Sequence, residues 1–115
     1  MKKIVYSPDY KEKLLELRRY LDFQFGADVR VRVLKELNTR IRMLQDHENS
    51  GISVREVYGI DCDYRCLYAV HNYVFYKADK KQIYIVNMYH EQEDFMKKMF
   101  GIETTIKEAE DYWNA

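Results

Sequence analysis

Four residues in the second half of the chain have side chains suited to anion binding or proton transfer. Arg65 stands among apolar and aromatic neighbours, where a guanidinium could bind an anion or pair with a nearby carboxylate as a structural residue. Tyr89, His90 and Glu91 follow one another and offer a hydroxyl, an imidazole and a carboxylate for acid–base work. Neighbours in a strand point to opposite faces, so His90 and Glu91 can cooperate only if the strand ends between them. The alternative for His90 is a structural histidine at a strand end.

Other common chemistries find little support in the sequence. Cys62 and Cys66 would lie about 13 Å apart in one extended strand, too far for a disulfide, and free thiols favour a reducing cytoplasm. Joining these cysteines with His71 and His90 gives a poor zinc motif, because the C-x3-C spacing spans a turn and a strand. His71 is expected to be a solvated turn residue. The chain has no glycine-rich phosphate loop and no HExxH motif, so we predict neither a cofactor nor a metal.

A predicted antiparallel meander positions the candidate residues. β-Branched and aromatic residues fill three short runs separated by polar turns at His71-Asn72 and Asp79–Lys81. Loops this short require antiparallel neighbours. The predicted strands are Tyr64–Val70, Tyr73–Ala78 and Gln82–Tyr89.

Strict alternation along the third strand assigns its side chains to two faces. One face would carry Ile83, Ile85, Asn87 and Tyr89. The other would carry Tyr84, Val86, Met88 and His90. Neither face is plainly polar, so we expect the protein's own helices to cover one face and its tail or a partner to cover the other.

The first half of the chain predicts a strand followed by a helical hairpin. Lys3–Tyr6 is a short strand, and Ser7 with Pro8 forms a helix start, with Ser7 as the N-cap. The first helix should run to about Phe25 and stop at Gly26. Asp28 is expected to cap a second helix from about Val29 to Gln45, and the short connection makes the two helices antiparallel.

The remaining elements complete an α+β domain. Val54–Tyr58 is predicted as a strand, and Glu91–Phe100 as a short helix that closes at Gly101. The order β-α-α-β-β-β-β-α places the N-terminal strand at an edge and the hairpin on a mainly antiparallel sheet. Residues 1–101 form this domain, and 102–115 form an acidic tail. The apolar positions of the tail fall on one helical face; they are Ile102, Ile106, Ala109 and Trp113.

The charges are balanced overall but unevenly distributed. The chain has 19 basic and 19 acidic residues, whereas dedicated nucleic-acid binders are usually basic. Residues 1–47 hold 11 Lys and Arg against 7 Asp and Glu, and residues 48–115 hold 8 against 12. The arginines of the helical half are expected to form a solvated basic surface or to contact an acidic partner. Neither a signal peptide nor a membrane-spanning run is present, so we expect a cytoplasmic protein without membrane contact.

Three stretches resemble the RelE/ParE toxin superfamily of bacterial type II toxin–antitoxin systems, which includes plasmid stabilisation proteins. They are KIVYSPDYKEKLLELRRYL, YRCLYAVHNYVFY and IYIVNMYHEQEDF, and they span residues 3 to about 100. The resemblance implies a toxin domain over 1–101, with the tail outside it. Some members cut messenger RNA in the ribosomal A site, through attack by a ribose 2′-hydroxyl on the adjacent phosphate. ParE-type members instead bind and inhibit DNA gyrase.

The resemblance implies a role for Arg65, which matches the phosphate-contacting arginine of the ribonuclease members. The chain departs from their pattern elsewhere. The ribonuclease members have basic residues before the central strand, and these positions align approximately with Glu56 and Tyr58 here. A second arginine of their pattern aligns with Glu91, and their tyrosine falls near Lys97. A ribonuclease would therefore have to use Arg65, His90 and either Tyr89 or Glu91, since some nuclease relatives use a terminal His and Tyr.

Three functions follow from the resemblance. The first is a ParE-like toxin that inhibits a target protein such as DNA gyrase and is neutralised by a cognate antitoxin, which would meet the sheet face, an exposed edge or the basic helices. The second is a RelE-like, ribosome-dependent mRNA endoribonuclease. The third is a non-toxic binding module of the same fold whose tail shields the site. The sequence is compatible with either a monomer or a homodimer.

Overall fold

The computed structural model describes residues 1–102 as a five-stranded sheet flanked by helices on both faces. All of the predicted acidic tail except Ile102 lies outside the described residues. No helix within 1–102 combines the length and apolarity needed to cross a membrane. The elements are β1 (Lys3–Tyr6), α1 (Pro8–Phe25), α2 (Ala27–Arg42), a 3-10 turn (Met43–Gln45), β2 (Ile52–Ser53), α3 (Val54–Tyr58), β3 (Arg65–Ala69), β4 (Asn72–Ala78), β5 (Gln82–His90) and α4 (Phe95–Phe100).

Helix α1 begins where the sequence predicts it. The Ser7 hydroxyl accepts a hydrogen bond from the Tyr10 amide at 3.0 Å, and Pro8 occupies the first helical position. Ser7 is almost fully buried, and its polar groups are satisfied there: its amide donates to the Ile85 carbonyl at 2.9 Å and its hydroxyl donates to the Val86 carbonyl. Ser7 therefore joins the strand–helix junction to the middle of β5.

The connection between the two long helices is shorter than predicted. Gly26 alone ends α1 and begins α2, with a φ of 88° that favours glycine. The expectation that Asp28 caps α2 is wrong, because Asp28 already lies in the first helical turn. A carboxylate at that position instead complements the helix dipole.

The helical hairpin buries one face of the sheet. Leucine and isoleucine at helical spacing in α2 pack with Tyr10 of α1 against alternate residues of the strands. The nearly fully buried members of this core, each at most 3% exposed, are Tyr10, Leu37, Ile41, Leu44, Ala69, Val74, Tyr76, Ile83, Ile85 and Met88. We call the sheet surface beneath the hairpin the helix face.

The strand order β1-β5-β4-β3-β2 confirms the meander and the edge position of β1. β1 pairs in parallel with β5, and the other neighbours are antiparallel. The first turn of the meander is shifted by one residue, since Val70 and His71 form it and Asn72 already belongs to β4. Both turn residues have positive φ, 47° and 66°, as a two-residue type I′ hairpin requires.

A bulge in β5 overturns the face assignment made by strict alternation. Phe75 of β4 pairs with Asn87 while Tyr76 pairs with Ile85, so β5 contains one extra residue between these pairs. Beyond the bulge the parity reverses: Met88 packs in the helix-face core, and Tyr89 packs in the cluster on the opposite face. The predicted grouping of Tyr89 with Ile83 and Ile85 is therefore wrong.

Val54–Tyr58, predicted as a strand, is the short helix α3. Ser53 is its N-cap and accepts from the Glu56 amide at 3.3 Å, and Gly59 ends it with a φ of 69°. The sequence Ser-Val-Arg-Glu has the spacing of a capping box. Local capping therefore prevails over the β-propensity of Val54, Val57 and Tyr58, and only Ile52 and Ser53 remain as strand.

The opposite face of the sheet is covered by the chain's own short helices. Phe95 and Phe100 of α4 pack on Phe75, with ring centroids 5.2 and 5.9 Å away. Tyr58 of α3 contacts Phe95 edge to face at 5.5 Å. The helix predicted over Glu91–Phe100 is confirmed, with a later start at Phe95 because Asp94 is the N-cap. A cover for this face was expected from the tail or a partner, whereas α3 and α4 supply it here.

Replacing Ser7 with Ala should destabilise the protein by about 2 kcal/mol. The variant loses a helix cap and leaves the Val86 carbonyl without this donor in a partly buried site. Ser53→Ala is the matched control, because it removes the same atom from the cap of a short, less buried helix and should cost about 1 kcal/mol or less. Urea unfolding measures both, and equal losses would contradict the special position of Ser7.

Candidate functional site

Arg65 begins β3 and its guanidinium holds the loop between the 3-10 turn and β2. Nη1 donates to the Gly51 carbonyl at 2.7 Å and lies 3.5 Å from the Asn49 carbonyl oxygen. The buried Tyr76 hydroxyl supports the same loop, donating to the Glu48 carbonyl and accepting from the Gly51 amide at 2.7 and 2.9 Å. Arg65 therefore binds backbone carbonyls. The sequence had suggested that its partner would be either a bound anion or a nearby carboxylate of the protein.

A cleft of about 620 Å³ opens beside Arg65. Its basic side chains are Arg55, Arg65 and Lys77, and its acidic side chains are Glu56, Asp63 and Asp79. Arg55 is paired with Asp61 at 2.9 Å and lies 3.8 Å from Asp63. Lys77 lies over the rings of Tyr64 and Tyr84, at 5.9 and 5.8 Å from their centroids. Balanced charges of this kind give the cleft little attraction for a phosphate.

Glu91 stands at the opposite end of the sheet, in a cluster with Tyr68 and His71. The Tyr68 hydroxyl donates to Glu91 Oε2 at 2.6 Å, and His71 Nδ1 lies 2.8 Å from Glu91 Oε1. The Glu91 amide also donates to the His71 carbonyl at 2.9 Å. The pKa of the Glu91 carboxyl is lowered, first by the hydrogen bond from Tyr68 and to a smaller extent by the contact with His71. The same bond raises the pKa of the Tyr68 hydroxyl.

His90 and Tyr89 lie on different sides of the sheet. His90 is the last residue of β5, and its Nδ1 accepts from the Gln92 amide at 3.2 Å, so a neutral ring carries its proton on Nε2. The strand therefore ends between His90 and Glu91, yet Glu91 is paired with Tyr68 and His71. Tyr89 is 6% exposed and packs on Phe75, and its hydroxyl accepts from the Asn87 amide group at 3.1 Å.

The strand registers set the separation between Arg65 and His90. Arg65 pairs with Tyr76, which pairs with Ile85, and His90 lies five residues further along β5. Because one of those five residues is the extra bulge residue, the advance equals the four residues from Asn72 to Tyr76 on β4, roughly 13 Å at about 3.3 Å per residue, and β4 lies between the two strands laterally. A guanidinium at one end and an imidazole at the other cannot converge on one scissile phosphate.

Tyr68 and His71 are the polar partners that the sequence did not identify. His71 was expected to be solvated, and Tyr68 was placed only as a strand residue. The strand register would have identified them. Ala69 pairs with Asn72 and Asn72 pairs with His90, so Glu91 follows β5 directly beside the β3–β4 turn. Within residues 1–102 no three His, Cys, Asp or Glu side chains are grouped as metal ligands. Cys66 is buried beneath α3 and α4, and burial raises the pKa of its thiol to about 12.

Comparisons with known proteins place the fold and the family. A family profile described as the ParE toxin of the type II toxin–antitoxin system parDE matches residues 4–95. A solved structure described as a chromosomal ParDE TA system from P. aeruginosa superposes with a TM-score of 0.64 and 13% identity, over 78% of this chain and 96% of that chain. This likeness supports the α+β fold alone. Comparison with curated protein sequences gives no match.

The Tyr68–Glu91 hydrogen bond predicts a measurable acid dependence. Because the pKa of Glu91 is lowered from its ordinary 4.5 in the folded protein, the interaction stabilises the fold above that value and is lost as the pH falls through the lowered value. Tyr68→Phe should raise the Glu91 pKa towards 4.5, measured by carbon NMR of the carboxyl group. Tyr20→Phe, an exposed tyrosine on α1, is the control, and an unchanged titration in Tyr68→Phe would contradict the assignment.

Proposed function

Since this chain belongs to the ParE toxin family of type II toxin–antitoxin systems, we propose that it acts by binding a target protein, DNA gyrase, without cutting RNA. Membership of the parDE toxin family implies a cognate ParD-type antitoxin as its partner. Neutralisation by that antitoxin is part of the proposal.

The separation of Arg65 from His90 is the observation that carries this proposal. RNA cleavage through the 2′-hydroxyl needs a base, an acid and positive charge around one phosphate. The described residues offer these groups at opposite ends of the sheet, and two of the four candidates are already engaged. Arg65 holds the loop at Gly51, and the Glu91 carboxylate is paired with Tyr68 and His71.

The tip of the helical hairpin offers surface suited to protein binding. Phe23 is 87% exposed, and Tyr20, Phe25 and Val31 are each more than half exposed near it. Aromatic side chains are enriched where protein surfaces associate, and exposed groups of them commonly mark contact sites. A mechanism that depends on binding a target protein uses such a surface directly.

The proposal predicts that the isolated chain relaxes plasmid DNA in bacteria and leaves messages intact. Induced expression should be followed by plasmid supercoiling and transcript 5′-end mapping in the same culture. Relaxed plasmid with unchanged messages supports gyrase inhibition. New message ends within codons, with normal supercoiling, would replace the proposal with the ribonuclease alternative, and unaffected growth would favour a non-toxic module.

In the same experiment, the variant His90→Ala separates gyrase inhibition from RNA cleavage. A gyrase inhibitor should keep its effect on supercoiling within about twofold, because the imidazole does no chemistry. Loss of a general acid or base would reduce RNA cleavage by about 10²- to 10⁴-fold. His47→Ala, in the exposed loop after the 3-10 turn, is the matched histidine control. A large loss of activity in His90→Ala alone, with the fold intact by circular dichroism, counts against the binding mechanism.

A further inference from the structure

A row of side chains on the face opposite the helical hairpin lies at the end of the sheet that carries the β4–β5 turn. Val5 pairs with Tyr84, and Tyr84 pairs with Lys77. The Lys77 ammonium lies over the rings of Tyr64 and Tyr84, 5.9 and 5.8 Å from their centroids. We call these four residues the open row. The row crosses the sheet from the residue before β3 to β1, and all of it except Val5 lines the cleft beside Arg65.

The open row keeps apolar surface that the residues from 1 to 102 leave partly uncovered. Val5 faces away from the hairpin, because its neighbours Ile4 and Tyr6 pack in the helix-face core. Val5 and Tyr84 pack in neither core cluster, and both remain partly exposed. By contrast Phe75, in the next row of the same face, is fully buried beneath α4. The cover that α4 supplies therefore ends between these two rows.

The surface around the open row is basic. Segments 3–5 and 77–84 hold four lysines against one aspartate, Asp79, and within residues 1–102 no ion pair engages these lysines. The Asp79 carboxylate accepts from two backbone amides of the β4–β5 turn at 2.8 Å. The other acidic residues of the cleft, Glu56 and Asp63, lie on its α3 side, where Arg55 is. The cleft is thus balanced as a whole but basic on its β1 side.

The described chain ends beside the open row. Gly101 closes α4 with a φ of 69°, and the Ile102 amide donates to the Met96 carbonyl at 3.0 Å, which turns the chain out of the helix. The ring centroids of Phe100 and Tyr64 are 6.3 Å apart. Ile102 is 39% exposed. The segment that follows therefore begins next to Tyr64, at one end of the row.

We propose that the C-terminal segment of this same chain, residues 103–115, packs across the open row and closes the β1 side of the cleft. The segment holds four acidic residues against one lysine, which is the opposite of the excess of three lysines around the row. Charges of opposite sign at this distance attract, and the attraction is strongest at low salt.

The length and the apolar pattern of the segment fit the same placement. Ile106, Ala109 and Trp113 continue the helical face predicted from Ile102. A helix rises about 16 Å from Ile102 to Trp113, and the three strand spacings from β3 to β1 measure about 14 Å. The apolar face of the segment therefore matches the width of the row, and Trp113 comes to lie over Val5.

A direct covalent connection favours this occupant over a separate protein. Residue 103 follows Ile102 without a linker, so the segment meets the row at an effective concentration on the order of millimolar. A contact that would be weak between separate molecules is then populated within one chain. The inference depends neither on gyrase as the target nor on an antitoxin.

The fluorescence of Trp113 tests whether the segment is packed. Trp113 is the only tryptophan in the sequence, so its signal reports this segment alone. Acrylamide, an uncharged quencher, should quench Trp113 severalfold less in the native full chain than in the same chain unfolded in urea. Added salt should increase the quenching of the native chain, because it screens the attraction. Equal quenching of the native and unfolded chains would overturn the proposal.

Lys77→Glu in the full chain tests the place of packing. It reverses one charge of the open row and should raise the quenching of Trp113 towards the level of the unfolded chain. Lys35→Glu, on α2, is the matched control and should leave the quenching unchanged. Both lysines are exposed, so neither change removes a core contact, and circular dichroism verifies the fold. Equal quenching in the two variants would overturn the assignment to the open row.

Nuclear Overhauser contacts of the indole ring distinguish the remaining outcomes. The proposal expects contacts from Trp113 to the methyl groups of Val5 in the full chain. Contacts to Val31 at the hairpin tip or to Val57 on α3 instead would overturn it. In a mixture of chains labelled separately on tryptophan and on valine, the contact with Val5 should vanish. If it persists, the segment belongs to a second copy and the assignment to the same chain is wrong. No arm of these experiments contains gyrase, so failure of the gyrase proposal leaves their results unchanged.

Discussion

The bulge in β5 is the local feature on which both faces of this protein depend. A single extra residue between the pairs Tyr76–Ile85 and Phe75–Asn87 reverses the direction of every later side chain in the strand. The Met88 amide, displaced from the regular ladder, donates to the Asn87 side chain at 2.8 Å. Ser7 donates to the Val86 carbonyl from the other side. The start of α1 and the bulge therefore stabilise each other.

The reversed parity determines what each face contains. Met88 enters the core beneath the helical hairpin, and His90 turns towards α1 and lines a pocket between α1 and the end of β5. Tyr89 joins Phe75 in the aromatic cluster beneath α3 and α4. Without the bulge these three side chains would exchange faces, the pocket would lose its apolar wall, and the aromatic cluster would lose one of its buried rings.

Polar side chains secure the two ends of the sheet. At one end Arg65 and Tyr76 bind the carbonyls and amide of the loop that precedes β2. At the other end Tyr68 and His71 bind Glu91, beside a turn in which Val70, a β-branched residue, adopts a positive φ. Groups that could have served catalysis thus maintain the fold.

The sequence alone determined the features that depend on local chemistry. The Ser-Pro helix start, the stop at Gly26, the meander and the edge position of β1 follow from capping, glycine geometry and loop length, and the RelE/ParE resemblance led to the correct family. The capping box at Ser53 was present in the sequence but was outweighed by β-propensity. The faces of Met88, Tyr89 and His90, the engagement of Arg65 with a loop, and the meeting of Glu91 with Tyr68 and His71 were decided by tertiary structure. Each of these depends on pairing between distant segments, and the position of a bulge or a register is fixed only when both strands are packed together.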